Sequence, residues 1–366
     1  MKIAILLPRK SLLTETFIQA QIDHLKGSKY VFHGGQIPTH LDEFPLSTLT
    51  NKFTRLWQKV RYTLGVETFT HQEFLFRRAL KKLNPNVILV QYGDLAARNL
   101  NVIRSLQIPM VVHFHGYDAS MYNVLSSLEK EYKEMFHYSK AIIVVSKKME
   151  SMILELGAPP EKIHRVCYGP NTEYATVQPI ASSKSFLTIG RFVDKKAPHL
   201  TILAFRKILA QHPDAQLRMI GNGPLWGFCN DLVKHLQLQE NVHLLGAHGL
   251  DVILEEIGRS CGFVQHSRRA ESGDMEGTPN AVLEALLASV PVVSTYHAGI
   301  PDIVENGVNG LLSAENDVDA MSENLSFILD HSKEAAEMGR RGRAKIIEEY
   351  SQEKYINAIQ SILEMH

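Results

Sequence analysis

Cysteine is scarce in this chain: three thiols, Cys167, Cys229 and Cys261, in 366 residues. An odd, widely spaced set excludes a disulfide scaffold, and without a C-x-x-C pair there is no zinc ribbon or redox motif. Long apolar runs are also missing. The first, residues 3–7, stops at Pro8, too short for a signal-peptide core and far too short to cross a bilayer, so the expected location is the cytosol. Net charge is absent too, with 39 Lys+Arg against 39 Asp+Glu, and no long basic run occurs, which argues against nucleic acid as a partner. No glycine stands in Pro8-Arg9-Lys10-Ser11-Leu12-Leu13 after the first apolar run, so the dinucleotide fingerprint is lacking and a dehydrogenase reading weakens. No H-E-x-x-H is present, and no metal site is expected.

What is present is length and alternation. A chain of 366 residues exceeds the size at which one core stops growing, so two domains are expected. Short β-branched runs at 3–7, 87–90, 110–114, 141–145, 186–189, 217–220, 242–245, 262–265 and 291–294 alternate with helical patterns. This predicts an α/β fold of parallel sheets covered by helices, two Rossmann-like domains facing each other across a cleft. A cluster of Gly, Pro, Asn and Ser at 169–184 marks the hinge. The predicted domains are 1–170 and 171–351. Neutrality conceals an asymmetry: residues 1–170 carry 22 Lys+Arg against 14 Asp+Glu, +8, and the rest 17 against 25, −8. The first half is expected to face something anionic.

Three motifs follow predicted strand ends, where such sheets bind ligands. In Glu276-Gly277-Thr278-Pro279-Asn280-Ala281-Val282-Leu283-Glu284, Thr278 reads as an N-cap and Pro279 as the first helical residue. The helix N-terminus offers free amides to a diphosphate, with one carboxylate on a sugar and the other on a ribose. The same residues read also as a capped helix with solvated glutamates. Gly190-Arg191-Phe192-Val193-Asp194-Lys195-Lys196 brings cations that neutralise a diphosphate, or forms a solvated basic turn. His113-Phe114-His115-Gly116-Tyr117-Asp118 closes a strand of the first half, with His115 and Asp118 facing the cleft, or with a histidine satisfied at a strand end. Gly221-Asn222-Gly223-Pro224 is a tight turn that admits a ligand to the backbone, or simply a turn.

Taken in this order, these residues resemble the retaining GT-B glycosyltransferases, the family of sucrose synthases, phosphatidylinositol mannosyltransferases and many bacterial polysaccharide transferases. Thr14-Glu15-Thr16-Phe17-Ile18, Phe114-His115-Gly116-Tyr117-Asp118, Lys195-Lys196-Ala197-Pro198 and Gly273-Asp274-Met275-Glu276-Gly277-Thr278-Pro279 are most similar to exopolysaccharide transferases of the colanic-acid type. The resemblance implies that Arg191 and Lys196 bind the diphosphate, with Gly190, Gly221, Gly277, Thr278, Pro279 and Asn280 around the donor. It implies Glu276 on the transferred sugar, Glu284 on the ribose and His115 at the reacting centre. Thr14, Glu15 and Asp118 would face the acceptor. It further implies a UDP- or GDP-sugar donor, a glycan or lipid-linked acceptor, retention of configuration, no cofactor and no metal, and a final helix, 352–366, joined to the first domain. Two departures stand out: the family's glycine pair after the first strand is missing, and Ala197 replaces a usual glycine.

Lys52, Arg55, Lys59 and Arg61 interleave with Phe53, Leu56, Trp57 and Val60, and Arg77, Arg78, Lys81 and Lys82 follow. This suits peripheral contact with an anionic membrane at its inner face, or a helix packed by its aromatic side with its cations in water. Two other functions use the same motifs: a nucleotide-sugar-binding protein without turnover, and a UDP-sugar epimerase that needs no acceptor.

Overall fold

A computed structural model describes residues 1–10, 15–50, 52–66, 68–180 and 183–365. Thr14 lies outside these residues, as do the side chains of Lys52, Arg55 and Lys59. The chain forms two compact units, Met1–Cys167 with Tyr355–His366, and Tyr168–Lys354.

Among the described residues of unit 1 the strands are β1 (Lys2–Leu6), β2 (Ser28–His33), β3 (His40–Leu41), β4 (Phe44–Pro45), β5 (Val87–Gln91), β6 (Met110–His113), β7 (Ala141–Val144) and β8 (Ile163–Arg165). They form one sheet in the order β4-β3-β2-β1-β5-β6-β7-β8. It is parallel from β2 to β8, with two short antiparallel strands at one edge. Its central strands are buried on both faces, which is why they read as unbroken apolar runs. Strands β2, β3, β4 and β8 escaped the sequence pattern because β2 is mixed in polarity and the others number only two or three residues.

Unit 2 contains β9 (Ser185–Ile189), β10 (Gln216–Ile220), β11 (Val242–Gly246), β12 (Gly262–Val264), β13 (Val292–Thr295) and β14 (Gly310–Ser313). These form a parallel sheet in the order β11-β10-β9-β12-β13-β14. Its core joins Phe186, Leu217, Met219, Val264 and Val293 of the sheet to Phe205, Met321, Leu325 and Ile328 of the covering helices.

The C-terminal helix Gln352–Glu364 passes from unit 2 into unit 1 at Tyr355. There the Gln21 amide donates to the Tyr355 hydroxyl, and the Lys26 amide donates to Gln360 at 2.9 Å.

The helix Lys52–Thr63 reverses one expectation. Phe53, Leu56, Trp57 and Val60, spaced to share one face, are all exposed, Phe53 at 87%. The helix is held from its other side, where buried Gln58 donates to the Phe69 carbonyl at 3.1 Å and accepts from His71 at 2.9 Å. Its apolar face therefore points to solvent. Arg61 stacks over the Trp57 ring at 4.7 Å.

Ala197 caps the helix Pro198–Ile208 in the left-handed region, φ 33° and ψ 54°, and is fully buried. This explains the glycine of similar sequences: an L-residue there costs about 1–2 kcal/mol. Ala197→Gly relieves that strain but removes a buried methyl worth about 0.8 kcal/mol, so stability should change by less than about 1 kcal/mol. Ala197→Val should lose about 2 kcal/mol or more, because a β-branched residue suits that conformation poorly. Urea melts with unchanged m-value measure both; an undiminished valine variant would contradict this backbone.

Candidate active site

In unit 2 the strand order runs outward from β9 through β10 to β11 and resumes on the other side at β12. A switch point of this kind opens a crevice at the carboxyl ends of its two strands. Residues from both strand ends meet there. The chain leaves β9 through Gly190 and Arg191 into the turn Asp194–Lys196. The Lys196 ammonium lies 3.2 Å from the Glu276 carboxylate and donates to the Gln265 side chain, just beyond β12, at 3.1 Å. Lys195 pairs with Asp274 at 3.0 Å and donates to the Met275 carbonyl at 3.1 Å. Each carboxylate of the D-x-E pair thus has its own lysine.

Burial alone would push the Glu276 carboxyl up, but the Lys196 and Lys195 ammonium groups outweigh it and hold it at about 2, so it is ionised at neutral pH. Desolvation lowers Lys196, opposed by Glu276 and reinforced by the like charges of Lys195 and Arg191. Arg191 itself is exposed. The arrangement is a partly desolvated cationic patch with one fixed carboxylate, able to hold a diphosphate and a polyol side by side.

The helix after this loop corrects two expectations. It spans Asn280–Leu287, with Pro279 as its cap and no side-chain cap hydrogen bond. Thr278 is therefore not the N-cap, and Pro279 precedes the first turn. Nor is Glu284 solvated: it is buried and accepts from the Tyr174 hydroxyl. Burial pushes its carboxyl up to about 7, with Tyr174 and Lys196 opposing. It stands five residues beyond the cap, roughly 7.5 Å along the axis.

The Gly221-Asn222-Gly223 turn is fixed by packing. A Cβ on Gly221, at φ +136°, would stand 1.9 Å from the Gly190 carbonyl oxygen, so the glycine lets this turn pack on the turn that presents Arg191.

In unit 1 the corresponding switch point lies between β1 and β5. The His115 ring Nε2 is 2.8 Å from the Gln91 side-chain oxygen, Gln91 donates to Gln21 at 2.7 Å, and Gln21 lies 3.3 Å from His113 Nδ1. Phe17 and Tyr92 flank the His115 ring at 4.8 and 4.6 Å. Burial, and then His113, hold its pKa well below the ordinary histidine value, so the ring is neutral.

Asp118 corrects a third expectation. Its carboxylate is fully buried and accepts from the amides of Gly93 at 2.8 Å, His115 at 3.0 Å and Gly116 at 2.8 Å. It shapes the His115 loop instead of facing an acceptor. Glu15 accepts from the Tyr92 hydroxyl at 2.7 Å.

The family model described as glycosyl transferases group 1 matches residues 173–345, and that of Glycosyltransferase Family 4 matches 60–174. Residues 173–345 are a group 1 glycosyltransferase domain. It is 28% identical over 289 residues to a putative colanic acid biosynthesis glycosyltransferase of Salmonella typhimurium, covering 76% of this chain and 70% of that one. It is 27% identical to the amylovoran biosynthesis glycosyltransferase of Erwinia amylovora, covering 78% and 71%. The two-domain GT-B fold is shared with Anabaena HepE, solved in complex with UDP-glucose, at a TM-score of 0.79, 14% identity and full coverage of both chains.

Four residues around this glycosyltransferase's site carried no local signal. Tyr174 and Gln265 meet Glu284 and Lys196 only through the fold. Buried His297 accepts from the Glu276 amide at 3.1 Å through Nε2, while its Nδ1 donates to Glu315 at 2.7 Å, which fixes the tautomer. The only clue was position, since His297 follows β13 as Gln265 follows β12.

Glu284 makes stability depend on pH. Its folded pKa, about 7, exceeds the ordinary 4.5, so the folded state binds the proton more tightly. That contribution is complete below the unfolded value and is lost as pH rises through the folded one. Glu284→Gln should abolish this slope, gaining on the wild type between pH 5 and 8 by on the order of 1–3 kcal/mol. Parallel stability–pH curves would contradict a buried, protonated Glu284.

Proposed function

We propose that this glycosyltransferase moves a sugar, with retention, from a UDP- or GDP-sugar to a hydroxyl of a glycan or lipid-linked acceptor in exopolysaccharide assembly. The observation that carries it is the Lys196–Glu276 pair beside Arg191 at the switch point of the second sheet. As the bond from the anomeric carbon to the diphosphate breaks, negative charge grows on the β-phosphate oxygen. Lys196, Arg191 and the first amides of the Asn280–Leu287 helix supply fixed positive charge there. The acceptor oxygen bonds to the anomeric carbon from the face the diphosphate leaves, and its proton passes to the departing phosphate oxygen. No protein nucleophile and no metal is needed for this balance.

Glu276, ionised and anchored through His297, accepts hydrogen bonds from the sugar hydroxyls. Glu284 takes the ribose diol, and its raised pKa means that binding strengthens as it ionises. Neutral His115, oriented by Gln91, is assigned to the transferred sugar. The names of the colanic acid and amylovoran relatives support the exopolysaccharide reading.

The decisive test offers UDP-, GDP- and ADP-sugars with and without EDTA and follows thermal shift and slow donor hydrolysis. One nucleotide class should stabilise the protein and be hydrolysed, unaffected by EDTA. Glu276→Ala and Arg191→Ala should each slow hydrolysis by about 10²–10³-fold. Stabilisation without hydrolysis would favour a binding protein. Loss of hydrolysis with EDTA would refute metal independence.

We also assign the exposed face of the Lys52–Thr63 helix to an anionic membrane surface, which would bring the enzyme to a lipid-linked acceptor. The apolar face has no protein cover among the described residues, and residues 52–63 carry four cations and no acid. In flotation, the protein should rise with vesicles rich in phosphatidylglycerol and stay behind with pure phosphatidylcholine. Phe53→Ser with Trp57→Ser should abolish co-flotation, and equal binding to both vesicles would count against the assignment.

A further inference from the structure

Strands β12, β13 and β14 are neighbours in the second sheet and run parallel, so the segments that leave their carboxyl ends lie side by side. The first two are each followed by a fully buried histidine, His266 and His297. Both rings reach the segment that leaves β14. His266 Nε2 accepts from the Asn316 amide at 2.9 Å, and His297 Nδ1 donates to Glu315 at 2.7 Å. The other Glu315 oxygen accepts from the Arg269 amide at 2.8 Å. Asn316 accepts from the Arg268 side chain at 3.2 Å. Two adjacent residues after β14 thus hold the start of the segment that carries Glu276, and His297 holds it at Glu276 itself, where Nε2 accepts from the backbone amide at 3.1 Å.

The chemistry of imidazole makes this last bond conditional. A neutral ring has one donor nitrogen and one acceptor nitrogen. Nε2 accepts from Glu276 only while the proton stays on Nδ1, and Glu315 is the group that accepts from Nδ1. Burial would raise the Glu315 carboxyl, but the hydrogen bonds from His297 and the Arg269 amide outweigh it and hold it below the ordinary range. The acceptor is therefore ionised at neutral pH. Without it the proton moves to Nε2 and stands against the Glu276 N–H, so that two donors oppose each other where a hydrogen bond was. The Glu276 backbone must then shift, and its carboxylate with it.

We infer that Glu315 is a positioning residue for sugar transfer, fixing the His297 proton on Nδ1 and so holding Glu276 where it meets the sugar. The inference rests on the reading of Glu276 as the sugar-binding carboxylate. Glu315 acts wholly through another side chain. At 30% exposure it can be removed without opening the core.

The test uses the full chain, with thermal melts verifying that each variant is folded. Glu315→Ala should leave the Kd for UDP and GDP within about twofold, because a nucleoside diphosphate has no sugar for Glu276 to hold. It should lower kcat for hydrolysis of the UDP- or GDP-sugar by about 10–10²-fold, the scale of a misplacement of about 1 Å. His297→Gln supplies an amide oxygen that accepts from the Glu276 amide and has no tautomer to fix. In that background Glu315→Ala should cost less than about twofold. Hydrogen exchange at the Glu276 amide reads the tether without any substrate. It should quicken about tenfold or more in Glu315→Ala, and Glu315→Ala should add nothing to His297→Gln. Unchanged exchange in Glu315→Ala, or an equal loss of hydrolysis in both backgrounds, overturns the inference. Faster exchange without a loss of hydrolysis overturns the assignment of Glu276 to the sugar, and the positioning role with it.

Discussion

An ammonium group taken out of water must be matched by charge and hydrogen bonds, and Lys196 is matched by Glu276 and Gln265. The second half of this glycosyltransferase is organised around that requirement. The turn after β9 grips the long segment after β12 at several points: Asp194 pairs with Arg268, Lys195 with Asp274 and Lys196 with Glu276. Without these ties the segment 265–279 would be a loop of ordinary mobility. With them Glu276 is set in place before any ligand arrives, and His297 holds its backbone from the other side. Removing one partner of such a pair commonly costs about 3–5 kcal/mol, whereas an apolar replacement of both is often neutral or stabilising. Stability is therefore a poor reason for this pair, and preorganised electrostatics is a better one.

Unit 1 meets the same need with different chemistry. Its site-bearing loop turns on Asp118, a buried carboxylate satisfied by three backbone amides. The carboxyl is nevertheless pushed up to about 7, because burial outweighs those amides. From this loop His115 extends into a chain of neutral amides, Gln91 and Gln21, that ends at the C-terminal helix through Tyr355. A desolvated imidazole held by amides stays uncharged, and suits hydrogen bonding to a sugar better than proton transfer. One unit offers fixed charge and the other fixed dipoles.

Much of the architecture was legible because doubly covered parallel strands must be apolar throughout. The runs at 87–90, 110–114, 141–145 and 217–220 could hardly be anything else. The strands that went unread, Ser28–His33 and Ile163–Arg165, are mixed in polarity or very short. The site was legible as motif: Arg191, Lys196, Glu276, Glu284 and His115 follow strand ends or start a helix, where carboxyl-edge crevices form.

Composition and periodicity by themselves determined the fold class, parallel sheets of alternating strand and helix, since these follow from the local spacing of apolar and polar residues. Only the tertiary structure decided which way the polar groups face. Asp118 turned inward, Glu284 was buried under Tyr174, the helix began after Pro279, and the aromatic face of Lys52–Thr63 was left to solvent. The reason is that burial and charge matching are nonlocal. Gln265 and Glu276 lie 69 and 80 positions beyond the lysine they satisfy, and no property of either segment alone states that they meet.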